Sequence, residues 1–372
     1  MRRETIAVHA GAEPDAETGA VAPPIHLSTT FRHHADGSPD AFDYQREDNP
    51  TQRRLETALA ALEGGERALA FASGMAAITA VLDTLQHGQR VVIPDDCYVG
   101  LRRHAAAVLP ARGVEVVTVD TGNPDAVHAA CNQGGVALLW SESPSNPCLK
   151  VSDLAQLADI AHAHGARLAC DNTFATPVLQ RPLELGADIV MHSTSKYFGG
   201  HSDLLGGALV FARNDAFAGH IAARRMLTGA IASPFNAWLT LRGCRSLPAR
   251  MAMHCHNARR VAEFLAAHPA VAAVHWPGLP THPNHAVAAR QMRDFGAMLS
   301  IELRAGRDAA IAFARRTRIF TNATSLGGCE SLIEHRASSE GEHSHSPPAL
   351  VRISVGLEHA DDLIGDLAQA LG

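Results

Sequence analysis

The stretch Asp188-Ile-Val-Met-His-Ser-Thr-Ser-Lys196-Tyr-Phe-Gly-Gly-His-Ser-Asp-Leu204 places one amine at the end of an apolar run. Ile189 to Met191 has the length and composition of a buried strand, and hydroxyls follow it at Ser193 to Ser195 before Lys196 and the turn at Gly199-Gly200. A lysine so placed sits at the mouth of a sheet. Ligands of open parallel sheets bind at the carboxyl ends of the strands, where loop hydroxyls and amides converge on one spot. With Ser193 and Ser195 beside it, Lys196 suits a Schiff base to an aldehyde that also carries a phosphate. A lysine following a strand is more often merely solvated, so its company decides the matter.

Upstream, Arg167-Leu-Ala-Cys-Asp171 is a second short apolar run closing on a carboxylate, followed by Asn172 and Thr173. Pyridoxal phosphate needs a carboxylate against its ring nitrogen, because the protonated ring is what accepts electrons from a substrate carbanion. Asp171 is the candidate, whereas an isolated aspartate here would read as a turn or cap residue.

Seven segments in order carry a resemblance. They are Asp43-Tyr-Gln-Arg-Glu-Asp-Asn-Pro-Thr51, Ser73-Gly-Met75, Glu142-Ser-Pro-Ser-Asn-Pro147, Asp171-Asn-Thr-Phe174, His192-Ser-Thr-Ser-Lys-Tyr197, Ser325-Leu-Gly-Gly-Cys-Glu-Ser-Leu332 and Val351-Arg-Ile-Ser-Val-Gly356. Together they resemble the pyridoxal-phosphate enzymes of cysteine and methionine metabolism, which include cystathionine γ-synthase, γ-lyase and β-lyase. The likeness covers almost the whole chain, and ordered matches are far more specific than any single motif.

The resemblance implies an α/β chain of the PLP-transferase type, with the aspartate aminotransferase fold type I. It would have an N-terminal arm over residues 1–50, a large cofactor-binding domain over 51–233 and a smaller α/β domain over 234–372. It also implies pyridoxal 5'-phosphate held by Gly74, Met75, Asn146, Asp171, Thr173, Ser193, Ser195 and Lys196. Tyr98 would stack on the ring and assist proton transfer, and Asn146 would bond the cofactor's phenolic oxygen. Tyr44 and Arg46, on the arm, would reach the cofactor phosphate of a neighbouring subunit, making an obligate dimer at least and a homotetramer on the family pattern. Guanidinium and phenol both match a phosphate, although Arg46 would suit a solvated turn equally well. Tyr98, Asn146, Ser325 and Arg352 would contact the substrate, with Arg352 taking its α-carboxylate. A buried arginine in the strand Leu350 to Val355 costs several kcal/mol unless an anion partners it. Lys196 would give up the aldehyde to an amino acid and then take the α-proton while Asp171 keeps the ring protonated.

Composition bounds the alternatives. The chain has 372 residues, 46% hydrophobic and 19% charged, with net charge −6; this fits a folded chain of about two to three domains. Lys and Arg are scattered, which argues against nucleic acid. No run of ~20 apolar residues occurs and no signal-type segment follows Arg2-Arg3, so a cytoplasmic enzyme without a membrane span is expected. The seven cysteines contain no C-x-x-C pair and read as reduced thiols. His254-Cys-His256 and His343-Ser-His345 lack the spacing of a metal site, so no metal is expected. A nicotinamide enzyme would need Gly-x-Gly-x-x-Gly after an early strand, and none is present.

Along the chain, residues 1–50 carry turn formers without a helical period. Leu55, Ala58, Leu59 and Leu62 then mark a helix stopped by Gly64-Gly65. Ala68 to Ala72 reads as a strand, and Ser73-Gly74-Met75 as its turn into a helix whose free amides favour an anion. Further strands are expected at 90–94, 114–119, 136–140, 167–170, 189–191 and 208–211, a mostly parallel sheet. After Ser233-Pro234 come two helices, 235–247 and 251–268, then strands at 298–303 and 352–355 and helices at 308–316 and 361–371.

Three departures from the family bear on the reaction. Val99-Gly100-Leu101 follows Tyr98 in place of Gly-Gly-Thr, Thr324 replaces a glutamate, and Ser339-Glu-Gly-Glu-His343 replaces a longer Met-Thr-His loop. Against the family pattern, the first two bear on recognition of the distal amino group of cystathionine. Leu326, where β-lyases carry Trp, favours γ-elimination (a γ-lyase) or γ-replacement (a γ-synthase), with β-lyase chemistry as the closest rival. A non-catalytic cofactor-binding homologue is the alternative from another class.

Overall fold

The computed structural model describes residues 1–372, apart from the side chain of His343. Strands β1 (Arg67–Phe71), β2 (Arg90–Pro94), β3 (Glu115–Val119), β4 (Val136–Glu142), β5 (Arg167–Asp171), β6 (Ile189–His192) and β7 (Gly207–Phe211) form one sheet in the order β1-β7-β6-β5-β4-β2-β3. β2 to β6 are parallel, whereas β7 is antiparallel to both β6 and β1, so β1 points the same way as β6. Successive side chains alternate faces, and both faces are covered: Val91, Leu138, Ala169 and Met191 enter one core, while Val92, Leu139, Leu168 and Cys170 enter the other. This is why the strands read as unbroken apolar runs in the sequence.

A second sheet, β8 (Val271–His275), β9 (Met298–Leu303), β10 (Thr321–Asn322), β11 (Leu332–His335) and β12 (Leu350–Ser354), has the order β10-β11-β12-β9-β8 and is antiparallel except for β10 with β11. β8, β10 and β11 are absent from the sequence reading. Glu334 and His335 interrupt β11, β10 has two residues, and β8 is only partly buried, so none offers a clean apolar period.

Two local expectations are corrected. The segments 235–247 and 251–268 form a single helix, Pro234–Ala267, that runs through Pro248. A proline inside a helix costs about 3 kcal/mol, but Leu241, Cys244 and Leu247 before it and Met251, Cys255 and Ala258 after it are all buried in one core. That burial outweighs the break, and the Gly243 carbonyl near the proline is bonded by Arg250 Nη2 at 2.8 Å. In the N-terminal segment, a short helix, Arg3–His9, packs Ala7 against the helices Pro50–Glu63 and Pro234–Ala267. Seven residues are too few for a period to register.

The long helix passes close behind the turn that follows Lys196. A Cβ at Gly243 would overlap the carbonyl oxygen of Phe198 and crowd that of Gly199 at 2.7 Å. Gly243→Ala should therefore cost about 1–3 kcal/mol in urea unfolding. Gly219→Ala, in a helix with nothing described within 4 Å of the new methyl, should be neutral or stabilising by up to about 1 kcal/mol.

Candidate active site

Every parallel strand that carries a site residue ends at the same edge of the large sheet. Beyond β1 lies the turn Ser73-Gly74-Met75, beyond β2 lies Tyr98, and beyond β4 lies Asn146. Asp171 closes β5, and Ser193, Ser195 and Lys196 follow β6. These residues, with Thr173 and with Ser325 and Arg352 from the second sheet, line one cavity of about 500 Å³. Of the residues singled out in the sequence, only Tyr44 and Arg46 lie elsewhere in this chain. Tyr44 is largely exposed, and Arg46 donates through Nη1 to the Met226 carbonyl at 3.1 Å.

Lys196 Nζ donates to Ser325 Oγ at 2.6 Å, which joins the two sheets across the cavity. Burial first, and the neighbouring Arg352 second, depress the lysine to about 8, while Glu334 partly offsets them. Ser325 sits at φ 89°, a left-handed conformation costly for a residue with a side chain. Its carbonyl accepts from Arg352 Nη2 at 3.0 Å, which helps hold that conformation. Asp171 is buried and accepts from the Thr173 amide at 2.9 Å. Burial raises its proton affinity and the Thr173 hydrogen bonds oppose the rise; a cationic ring nitrogen placed against it would favour the ionised carboxylate. Asn146 turns Oδ1 to Arg352 Nη1 at 3.0 Å; its amide donors are thereby free to face a phenolic oxygen.

The phosphate end has a separate logic. Ser73 caps the helix Gly74–Leu82 by accepting from the Ala76 amide at 3.1 Å, and the first-turn amides of Gly74 and Met75 have no helical acceptor. A Cβ at Gly74 would meet Met191 and Ser193 at 3.1 Å, so the absent side chain lets that turn pack closely on the end of β6. The Ser193 amide is tied to Thr173 Oγ1 at 2.9 Å, and Ser195 bonds the Gly206 backbone on both sides, at 2.9 and 3.2 Å. Tyr98 covers the cavity from the opposite loop, packed on Gly100, where any Cβ would strike its ring. The amine, the carboxylate and the anion-binding turn, gathered on one cavity, together fit pyridoxal phosphate.

The sequence reading missed five acidic and basic residues of the lining, Arg103, Glu142, Glu334, Arg336 and Glu340. Glu142, opposite Asp171 in the β4–β5 register, accepts from the Tyr98 amide at 2.8 Å and positions that turn. Burial, and then Asp171, push its carboxyl well above the usual range. A carboxylate ending an apolar strand is the signal that revealed Asp171, and it applied here as well. Glu334, opposite Arg352 in the β11–β12 register, takes Arg352 Nη2 at 2.7 Å and Arg336 Nη1 at 2.9 Å on Oε2. Burial acts to raise its pKa, but Arg352 and Arg336 together hold it below its ordinary value. Arg336 continues to Glu340 at 2.8 Å. The counter-charge that the sequence assigned to a substrate is thus already supplied by the chain. Among the described residues, no group of three or more His, Cys, Asp or Glu is arranged to hold a metal, and no helix is long and apolar enough to cross a membrane.

A fold of this type, with a lysine and an aspartate facing one cavity, defines a pyridoxal-phosphate enzyme. Residues 4–372 match the model of the Cys/Met metabolism PLP-dependent enzymes, and the chain belongs to that family. It is 48% identical over 375 residues to a cystathionine gamma-synthase of Mycobacterium tuberculosis, covering 99% of this chain and 96% of that protein. It is 43% identical over 379 residues to a cystathionine beta-lyase of Coxiella burnetii, covering 99% and 97%. The crystal structure of cystathionine gamma synthase from Xanthomonas oryzae in complex with cystathionine superimposes with a TM-score of 0.96 at 42% identity, covering 100% of this chain and 98% of that one.

Because the Lys196 amine is nucleophilic only when neutral, the rate at which the apoprotein takes up pyridoxal phosphate should rise with pH through a midpoint near 8, the depressed value of Lys196. An unperturbed lysine would place that midpoint above 10. Stopped-flow absorbance during reconstitution measures it.

Proposed function

We propose that this enzyme acts at the γ carbon of a sulfur amino acid or of an activated homoserine, by elimination or replacement. The observation that carries the reading is the 2.6 Å approach of Lys196 Nζ to Ser325 in the cavity that also contains Asp171 and Arg352. The 48% identity to a γ-synthase supports the same chemistry. Leu326, buried in the lining where a β-lyase would carry a tryptophan, favours γ over β.

In this reading Lys196, Asp171, Asn146, Thr173, Ser193, Ser195, Gly74 and Met75 hold the cofactor, with Tyr98 over the ring. The cofactor supplies an electron sink for the α-carbanion. Arg352 orients the substrate by its α-carboxylate, with Ser325 and Asn146 on either side. Lys196, relieved of the aldehyde, takes the α-proton at Nζ; its depressed pKa makes it an effective base near neutrality. The same amine, once it has released that proton, would take one from the β carbon, and the electron pair left there would expel the γ substituent, which leaves with its bonding electrons. Tyr98 closes the cavity against water.

The arm belongs to the proposal too. Tyr44 and Arg46 complete the phosphate site of a neighbouring subunit, which makes the dimer the smallest active unit, with the tetramer expected from the family. Residues 51–233 and 234–372 act as a large and a small domain, each contributing one sheet. A cytoplasmic location fits seven free thiols, five of them buried.

Purified protein should be yellow with bound cofactor. Incubation with cystathionine should release cysteine and a keto acid, or an acylated homoserine with cysteine should yield cystathionine. Homocysteine with pyruvate would select the β-lyase reading instead. Lys196→Ala should remove the visible band and lower turnover by at least ~10²-fold; retained turnover would overturn the assignment. Mixing inactive Lys196→Ala chains with inactive Arg46→Ala chains should restore activity, because one site of each mixed dimer is intact.

A further inference from the structure

Three of the five N–H donors of Arg352 are already engaged within the chain. Nη1 donates to Asn146 Oδ1 at 3.0 Å, and both hydrogens of Nη2 are taken, by the Ser325 carbonyl at 3.0 Å and by Glu334 Oε2 at 2.7 Å. Glu334 faces Arg352 directly across β11 and β12, and both side chains are about 95% out of solvent. A substrate carboxylate arriving at this guanidinium meets another carboxylate already there. Two like charges on one fork in a poorly solvated cavity repel strongly, so one must leave.

The neighbouring residues indicate which. Glu334 places both its bonds on a single oxygen, Oε2, and Oε1 has no hydrogen-bond partner among the described residues. Its second partner, Arg336, is fixed from the far side. Arg336 Nη2 bonds Glu340 Oε1 at 2.8 Å, and Glu340 Oε2 accepts from Ser344 at 2.8 Å and Ser346 at 2.9 Å. The charges therefore alternate from Arg352 through Glu334 and Arg336 to Glu340. If Arg352 were taken by a ligand, Glu334 would still be paired.

We propose that Glu334 is an internal occupant of the α-carboxylate site, displaced when an amino-acid substrate pairs with Arg352, and that Arg336 is the positioning residue that keeps the displaced carboxylate paired. The inference rests on the assignment of Arg352 to the substrate carboxylate. Its consequence is that affinity for α-amino acids is set by an exchange of partners. An unpaired buried carboxylate is costly, and Arg336 removes most of that cost. Amines that lack a carboxylate bypass the exchange.

The test uses holoenzyme titrated with glycine or with methylamine, following the shift of the cofactor's visible band. Glu334→Gln, which keeps the shape and removes the competing charge, should tighten glycine by about tenfold and leave methylamine within about twofold. Arg336→Gln should weaken glycine by about tenfold or more, with methylamine again unmoved; Arg336→Lys should recover part of the loss. Weaker glycine binding in Glu334→Gln, or equal shifts for both amines, would overturn the proposal, since a merely structural Glu334 holds Arg352 in place. Arg352→Ala separates the two possible failures. If it abolishes the preference for glycine while Glu334→Gln does nothing, the displacement is wrong; if the preference survives, the carboxylate assignment itself falls.

Discussion

A short hydrogen bond between two sheets is the constraint on which the site depends. Lys196 belongs to the turn after β6, and Ser325 to the loop between β10 and β11; their contact closes the cavity that contains Asp171 and Arg352. Neither sheet alone could depress the lysine. Burial of the amine needs walls from both, and the second influence on it, Arg352, comes from the far sheet. Chemistry at Lys196 and packing of β12 against the loop after β4 are therefore one problem. Ser300 makes the same point structurally, since its hydroxyl donates 2.7 Å across to the Pro147 carbonyl beside Asn146.

The charges in the lining obey a stricter rule than those on the surface. Salt bridges such as Arg260 to Asp361 are solvated and contribute little. Arg352, Glu334 and Arg336 are almost wholly removed from water, where each lone charge would be prohibitive. Their alternation keeps a guanidinium in the cavity wall without leaving a lone buried charge. Burial brings Arg352 itself down to about 10, with Arg336 adding to the effect and Glu334 opposing it.

Much of this was readable from the chain because the large sheet is buried on both faces. Ile189 to Met191 and Arg167 to Cys170 appear as apolar runs, and what stands at their carboxyl ends is necessarily at the site. Arg352 was visible as a charge in an apolar strand. Glu334 broke its own short strand and concealed it, so the partner of a legible residue stayed illegible. Glu142 was present as a letter in a motif without a role, since only the register of β4 against β5 sets it beside Asp171. The N-terminal helix and the continuity of Pro234–Ala267 were beyond local reading, because both are decided by packing against residues far away in sequence.

That long helix touches both halves of the molecule. Near its start Gly243 abuts the Phe198 carbonyl behind Lys196, and further on His254 Nδ1 and Asn257 Nδ2 reach the carbonyls of Val355 and Gly356 just past β12, at 2.7 and 3.0 Å. A helix advances about 1.5 Å and turns about 100° per residue. Adding or deleting a single amino acid between those two anchor points would swing the distal face by more than a quarter turn and pull Arg352 out of line with the amine. The number of residues between the two anchors thus fixes how the two sheets face each other.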